Sequence, residues 1–403
     1  MEKTVRISFI GDIMCEKPLQ RAYDRYGAAV FDRVFAQTKE LFARSDLTVG
    51  NLETVFGGAE RGYTDALYRF NTPDDFACAV SRGGIGLLTT ATNHCLDCGI
   101  EGLKRTVDVL EAYGIAHTGT RRCPSEPRFL VRDVGGLRIA FLNYAYGTNV
   151  HETGVLLRED ELYCLNLLKP QTYRLQTYAD GRAGRFRRTV SSGLALAAGE
   201  ETRIRLKRLL GMAPSAVRID DLDESELDEA YLLAIDEDLS RARDEADVVI
   251  VCLHCGGQFN PEPGGLSEYF ARYFAERGAD AVVCHHAHVV QRTERIGNVP
   301  VAYCLGNYSI SPSSVYLLRE DLPEYAVVRH LTVGAAGVVG TSFSVIKILE
   351  DGDGVPVAWP ADRLYDKLTV GGRAALLADV ERVCRRFSGM SAGGSVLSEY
   401  KDG

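Results

Sequence analysis

Three histidines close an apolar run in the stretch Asp280-Ala-Val-Val-Cys-His-His-Ala-His-Val-Val-Gln291. Residues 281–283 read as a buried strand, and His285, His286 and His288 fall where that strand must give way to a loop. In open α/β sheets, ligands bind outside the carboxyl ends of strands. Imidazoles gathered there are good ligands for Zn, Mn, Fe or Ni. In extended backbone, His286 and His288 would point to one side and His285 to the other. A surface histidine cluster without a metal would read the same way from this stretch alone. Four other strand-to-loop junctions also carry polar groups: Asp12, Asn51 with Glu53, Asn93 with His94, and His254. Turns by default favour Gly, Asn, Asp or Pro. Two carboxylates, an amide oxygen and several imidazoles instead suit two divalent transition metals bridged by a carboxylate. Such a pair can activate a water and clamp both oxygens of an in-line displacement.

Several classes are excluded or disfavoured by the bulk of the chain. Its 403 residues make one large domain or two ordinary ones. A net charge of −9 opposes general nucleic-acid binding. No apolar run approaches the roughly 18 residues of a membrane span. The apolar segment near Met1 is too short for a secretory signal, so a cytoplasmic chain is expected. Eleven cysteines include two Cys-x-x-Cys pairs, Cys95/Cys98 and Cys252/Cys255. Zinc ribbons place their pairs about 15–20 residues apart, whereas half the protein separates these, and Cys252 closes an apolar run. Cys15, Cys95, Cys98, Cys255 and Cys284 lie beside the polar motifs, which suggests free thiols around the site. A thiol-based sensor using Cys95, Cys98 and Cys255 is one use for such groups.

The elements that must position these groups alternate between strand and helix. Strands are expected over 4–10, 46–49, 85–90, 128–134, 137–144, 247–253, 281–283 and 299–305. Helical spacing marks 31–42, 74–80, 99–113, 230–245, 266–277 and 374–387. Gly135-Gly136 reads as a hairpin turn. From Lys169 to about Ala230 the pattern breaks. This segment is rich in Arg185, Arg187, Arg188, Arg203, Arg205, Lys207 and Arg208, then acidic from Asp220 to Glu226. It reads as an insertion (169–230), either a solvated excursion or a lid whose arginines face an anionic substrate. The main domain is then 1–168 with 231–365, followed by a C-terminal helix and a frayed tail over 366–403.

The ordered series Gly11-Asp-Ile-Met14, Gly50-Asn-Leu-Glu53, Thr92-Asn-His-Cys-Leu-Asp-Cys-Gly99, His254-Cys-Gly-Gly257, His286-Ala-His-Val-Val-Gln291 and Tyr303-Cys-Leu-Gly-Asn307 resembles the poly-γ-glutamate capsule-synthesis family, CapA. The resemblance implies the α/β fold of the calcineurin-like metallophosphoesterases, a four-layer αββα sandwich with a two-metal site at one sheet edge. It implies Asp12 and His288 on one metal, Glu53 as bridge, and Asn93, His254 and His286 on the other. His94 becomes a general acid or the stabiliser of developing charge, and Asp97 the group that orients its imidazole. Asn51, Gln291 and Asn307 become supporting or substrate-facing groups, with a purely structural turn role equally open. Departures are Met14 where a ligand histidine is usual, Cys255 and Gln258 in the fourth motif, Cys284, and Ala287.

The resemblance thus points to one or two divalent ions (Mn, Fe or Zn) and a metal-activated water. The substrate is an anionic phosphoester or a γ-glutamyl-type amide. The alternative is a metal-containing assembly or binding protein for a polyanionic polymer, without turnover, which the weakened first-metal set favours.

Overall fold

The computed structural model describes residues 3–172, 202 and 220–402. The arginine-rich part of the expected insertion, with Arg185, Arg187, Arg188, Arg203, Arg205, Lys207 and Arg208, lies outside the described residues.

An α/β chain forms two mixed sheets. The strands, in chain order, are β1 (Val5–Ile13), β2 (Leu47–Leu52), β3 (Leu87–Thr89), β4 (Ala116–Thr118), β5 (Leu130–Val134), β6 (Leu137–Ala145), β7 (Val248–His254), β8 (Ala281–His285), β9 (Thr293–Ile296), β10 (Val299–Ala302), β11 (Tyr325–Gly334), β12 (Gly337–Glu350), β13 (Pro356–Pro360) and β14 (Tyr400–Lys401). One sheet runs β13-β12-β11-β1-β2-β3-β4, with β14 added on β12; the other runs β5-β6-β7-β8-β10-β9. β1 to β4 are parallel, as are β6, β7, β8 and β10. The parallel strands therefore deliver their carboxyl ends together.

Side-chain alternation explains how the central strands are buried on both faces. In β7, Val248, Ile250 and Cys252 join a core cluster drawn from both sheets, together with Ile7 and Phe9 of β1. Val249, Val251 and Leu253 join a second cluster with Leu239 and Phe270 of the helices Glu229–Glu245 and Gly265–Glu276. A third cluster covers the eight-stranded sheet with Leu19, Phe31, Phe76 and Leu110 of the helices Lys17–Tyr26, Ala29–Phe35, Asp75–Arg82 and Gly99–Ala112.

Several sequence expectations need correction. The helix expected over 31–42 is two short helices, Ala29–Phe35 and Lys39–Phe42. β1, expected over 4–10, continues to Ile13 through a register shift between Phe9 and Asp12. A Cβ on Gly11 would overlap the carbonyl oxygen of Gly306, so only glycine allows the 305–308 segment this close. β9 and the helix Ala361–Lys367 carried no clear signal in the sequence. The acidic end of the expected insertion is packed against the main fold: buried Asp220 accepts hydrogen bonds from the backbone of Gly264 and Ser267.

The C-terminal tail is not frayed. Tyr400 is buried, stacks on Phe343 at 5.2 Å, and lies in β14 on β12. Asp402 pairs with buried Arg329, and Glu399 pairs with Arg6 at 2.9 Å. Tyr400→Ala should therefore lower unfolding free energy by about 3 kcal/mol, read by urea denaturation. A loss under about 0.5 kcal/mol, the size expected of a surface position, would mean that the tail does not pack.

Candidate metal centre

The polar strand ends meet where the carboxyl edges of the two sheets converge. Asp12 sits near the end of β1, Asn51 near the end of β2, and Glu53 just beyond it. Asn93 and His94 follow β3. His254 ends β7, while His286 and His288 follow β8. All of these side chains are buried. His254 and His286, from neighbouring strands, approach to 3.1 Å.

Glu53 stands at the middle. Its Oε1 lies 3.5 Å from His254 Nε2, 3.6 Å from His288 Nε2 and 3.8 Å from His286 Nδ1. Neither of its oxygens meets a hydrogen-bond donor, although both are fully buried. A buried carboxylate without a donor is strongly disfavoured unless a cation joins it. Two groups have donor atoms within 4.8 Å of one another and could hold an ion: Glu53 with His286 and His288, and Asp12 with Glu53 and His254. Glu53 is common to both. The groups cut across the partition implied by the family resemblance, which sets His288 with Asp12 and His286 with His254. His288 Nδ1 is nonetheless only 3.3 Å from Asp12 Oδ2, so the cluster is continuous. These residues fit one or two divalent cations on the chemistry of the donor set.

The histidines reach the cluster by a route that strand alternation does not give. β8 ends at His285, and His286 and His288 adopt φ of 97° and 57°. Left-handed backbone at a non-glycine residue is sparsely populated and accumulates at functional sites. His285 does not point away: its Nδ1 lies 3.5 Å from Asp12 Oδ1. The extended-backbone reading of this stretch is thus overturned by backbone that leaves the β region at two positions.

Supporting hydrogen bonds fix the donors. Asn51 Nδ2 donates to Asp12 Oδ1 at 2.9 Å and lies 3.1 Å from His254 Nδ1, while Thr89 donates to Asn51 Oδ1 at 2.8 Å. Asn307 Oδ1 lies 2.9 Å from His288 Nδ1, and its Nδ2 donates to the carbonyl of His288. Asn93 Oδ1 lies 2.7 Å from His254 Nε2. Gln291 instead donates to the carbonyl of Asn260, tying two loops. His94 Nδ1 lies 2.7 Å from Asp97 Oδ2, which leaves Nε2 facing Glu53 at 4.0 Å. Three contacts had no signal in the sequence: Phe70 packs on His94 at 4.4 Å, Tyr146 on His286 at 4.9 Å, and Phe259 on His288 at 5.7 Å. Met14, at the usual histidine place, is buried in an apolar cluster with Phe70 and Phe259.

Burial and charge divide the titrating groups. Burial raises the Asp12 carboxyl, but His285 and His288 beside it outweigh that and hold it well below the ordinary range. Burial pushes His286 down to about 4; Glu53 beside it pulls the other way, but burial with the charges of His254 and His288 wins. His254 is lowered well below its ordinary value, by burial first. Burial also opposes charge on His288, yet Glu53 and Asp12 win and raise it to about 9. On His94, burial is outweighed by Asp97 and, further off, Glu53, so its pKa rises.

The cysteines behave differently. All eleven are free. Burial pushes Cys95 and Cys252 up to about 12. Buried thiols held in the protonated form are poor nucleophiles and poor sensors. Among the described residues, no group of potential metal ligands includes a cysteine.

A model of the family described as "Bacterial capsule synthesis protein PGA_cap" matches residues 6–312. This chain belongs to that family. It is 23% identical over 305 residues to the PGA biosynthesis protein CapA of Bacillus subtilis (strain 168), a match covering 75% of this chain and 62% of the relative. It is 22% identical over 374 residues to the capsule biosynthesis protein CapA of Bacillus anthracis, covering 90% of this chain and 72% of that one. An uncharacterized protein, y4sH, of Sinorhizobium fredii (strain NBRC 101917 / NGR234) is 25% identical over 306 residues, 68% of this chain and 61% of its own. The match to the Bacillus subtilis relative thus spans less than two thirds of that protein's length. No helix among the described residues is long and apolar enough to cross a membrane.

Because His288 is raised to about 9 between two carboxylates, a cation must displace its proton. Metal affinity should therefore rise about tenfold per pH unit below that value and level off above it. Titration calorimetry in buffers of different ionisation enthalpy should detect release of about one proton per ion. A pH-independent affinity would remove His288 from the ligand set.

Proposed function

We propose that this member of the capsule-synthesis family is a metal-dependent hydrolase acting on an anionic phosphoester or a γ-glutamyl-type amide. The observation that carries the reading is the donor-free, fully buried Glu53 carboxylate shared by two ligand groups. Asp12, Glu53, Asn93, His254, His286 and His288 would hold one or two Mn, Fe or Zn ions. Bound ions would supply Lewis acidity and activate a water at neutral pH. The convergence of two mixed sheets, with one core between them and another outside each, supports the four-layer αββα sandwich of metallophosphoesterases. On this reading, residues 1–168 and 231–365 form one domain interrupted by 169–230.

The protein's own part in the reaction is positioning and proton delivery. Asp97 accepts from the backbone of Phe70 at 2.7 Å and lies at the same distance from His94 Nδ1. That arrangement fixes the tautomer and aims Nε2 into the site. A raised pKa keeps a proton on His94 for the leaving group. Asn51 and Asn307 hold Asp12, His254 and His288 in place. The apolar walls around His94 and His288 exclude water and strengthen these charges. Free, buried thiols fit a reducing, cytoplasmic setting.

One observation favours a second reading, a metal-containing binding protein for a polyanion such as poly-γ-glutamate. Met14 fills with apolar atoms the place where an additional ligand would stand. The two readings separate experimentally. Protein purified without chelator should carry one or two equivalents of Mn, Fe or Zn by elemental analysis, lost in His286→Ala. The loaded wild type should cleave p-nitrophenyl phosphoesters or γ-glutamyl-p-nitroanilide. His94→Asn should keep its metal but lose about 10²–10⁴ in kcat. Full metal occupancy with no turnover, together with retention of poly-γ-glutamate, would replace the hydrolase reading by the second.

A further inference from the structure

Asn149 belongs to no motif, yet it touches both sides of the proposed chemistry. It sits in the loop after β6, at the start of the short helix Val150–Thr153, and so reaches the β3 loop from the other sheet. Its backbone N–H donates to the carbonyl of Asn93 at 2.8 Å. Its Oδ1 accepts from Asn93 Nδ2 at 3.0 Å. With the amide nitrogen of Asn93 occupied in this way, the amide oxygen must face the other way, and it lies 2.7 Å from His254 Nε2. An unheld asparagine could present either end, because the two differ little in shape.

The other end of the Asn149 amide addresses His94. Its Nδ2 is 3.1 Å from Nδ1 and 3.3 Å from Nε2. A nitrogen almost equally far from both ring nitrogens lies over the imidazole, not at the end of either lone pair. It therefore leaves Nδ1 to Asp97 and Nε2 to the site. Phe70 packs against the same ring at 4.4 Å.

We propose that Asn149 is a positioning residue that orients the Asn93 carboxamide toward the metal centre and holds the plane of the His94 ring. The proposal rests on Asn93 being a metal ligand and His94 facing the reacting group. It follows that one side chain carried by the six-stranded sheet ties the ligand and the proton donor together, so the spacing between them does not depend on the β3 loop alone. Removing the amide leaves the Asn93 side chain free to turn its nitrogen inward, which cannot ligate a cation.

Binding of Co²⁺ to Asn149→Ala and Asn149→Asp, compared with wild type, tests this. Dissociation constants would come from calorimetry, coordination from the visible absorption of the bound ion, and folding from thermal melts. Asn149→Ala should bind Co²⁺ about 10–100-fold more weakly, the usual loss when an orienting partner is removed, and should show an altered visible band. Asn149→Asp keeps the acceptor for Asn93 Nδ2 and should bind as tightly as wild type or more so. A residue serving only the fold would lower the melting temperature and leave the affinity and the band unchanged. If Asn149→Ala matches wild type in both, or if Asn149→Asp is as weak as Asn149→Ala, the proposal is overturned while the metal centre stands. Wild type that binds no Co²⁺ brings down the metal centre and this proposal together. Should Asn149→Ala fail to fold, tight binding by Asn149→Asp supports the proposal and weak binding overturns it.

Discussion

The burial of Glu53 without a donor is the constraint around which this molecule is arranged. Both carboxylate oxygens are sealed from water, and three imidazole nitrogens stand 3.5 to 3.8 Å from Oε1. Those separations are too long for hydrogen bonds and suit groups that share a cation. Everything that reaches this point comes from the ends of parallel strands, three in one sheet and two in the other. The site therefore exists only if the two sheets pack with these strand ends side by side. The core between them, a single cluster that includes Ile7, Phe9, Ile250 and Cys252, holds those ends together.

Local backbone makes the fine adjustments. Gly11 lets the 305–308 segment press against β1, and the Asp12 N–H then donates to the Gly306 carbonyl at 3.1 Å. His286 and His288 take left-handed backbone, which is tolerated because Asp12, Asn307, Tyr146 and Phe259 hold them from several sides. The strain and the supports belong to one design, since relaxed strand geometry would separate these imidazoles from Glu53.

Around the polar cluster lies a wall of rings and aliphatic groups, with Met14 within it. That wall lowers the local dielectric and makes each charge inside more influential. The opposite responses of His286 and His288 illustrate the balance. Both are buried, but only His288 lies between Glu53 and Asp12, so one is driven to about 4 and the other to about 9. The cysteines near the site are part of the packing, and their burial opposes a role as sensors.

The α/β alternation, most strand positions, and the identity of the groups at the strand ends are legible in residue order. Those features depend on apolar periodicity and on residue type, which are local properties. Asp12, Glu53, Asn93, His254, His286 and His288 were legible because carboxylates and imidazoles repeatedly ended apolar runs. The remainder depends on contacts between distant parts of the chain. His285 meets Asp12 on the Ala281/Val283 face of β8, and His286 and His288 joined the same cluster because the chain left extended backbone after β8, which no alternation rule anticipates. Asn149, Tyr146 and Phe70 were silent because their partners lie 55, 140 and 24 positions away in the chain, so their role rests on long-range packing. The tail, rich in glycine and serine, read as loose because its anchors, Phe343 and Arg329, are distant in sequence and near only in the fold. Residue chemistry is written in the chain; distances between residues are set only when two sheets close on each other and exclude water.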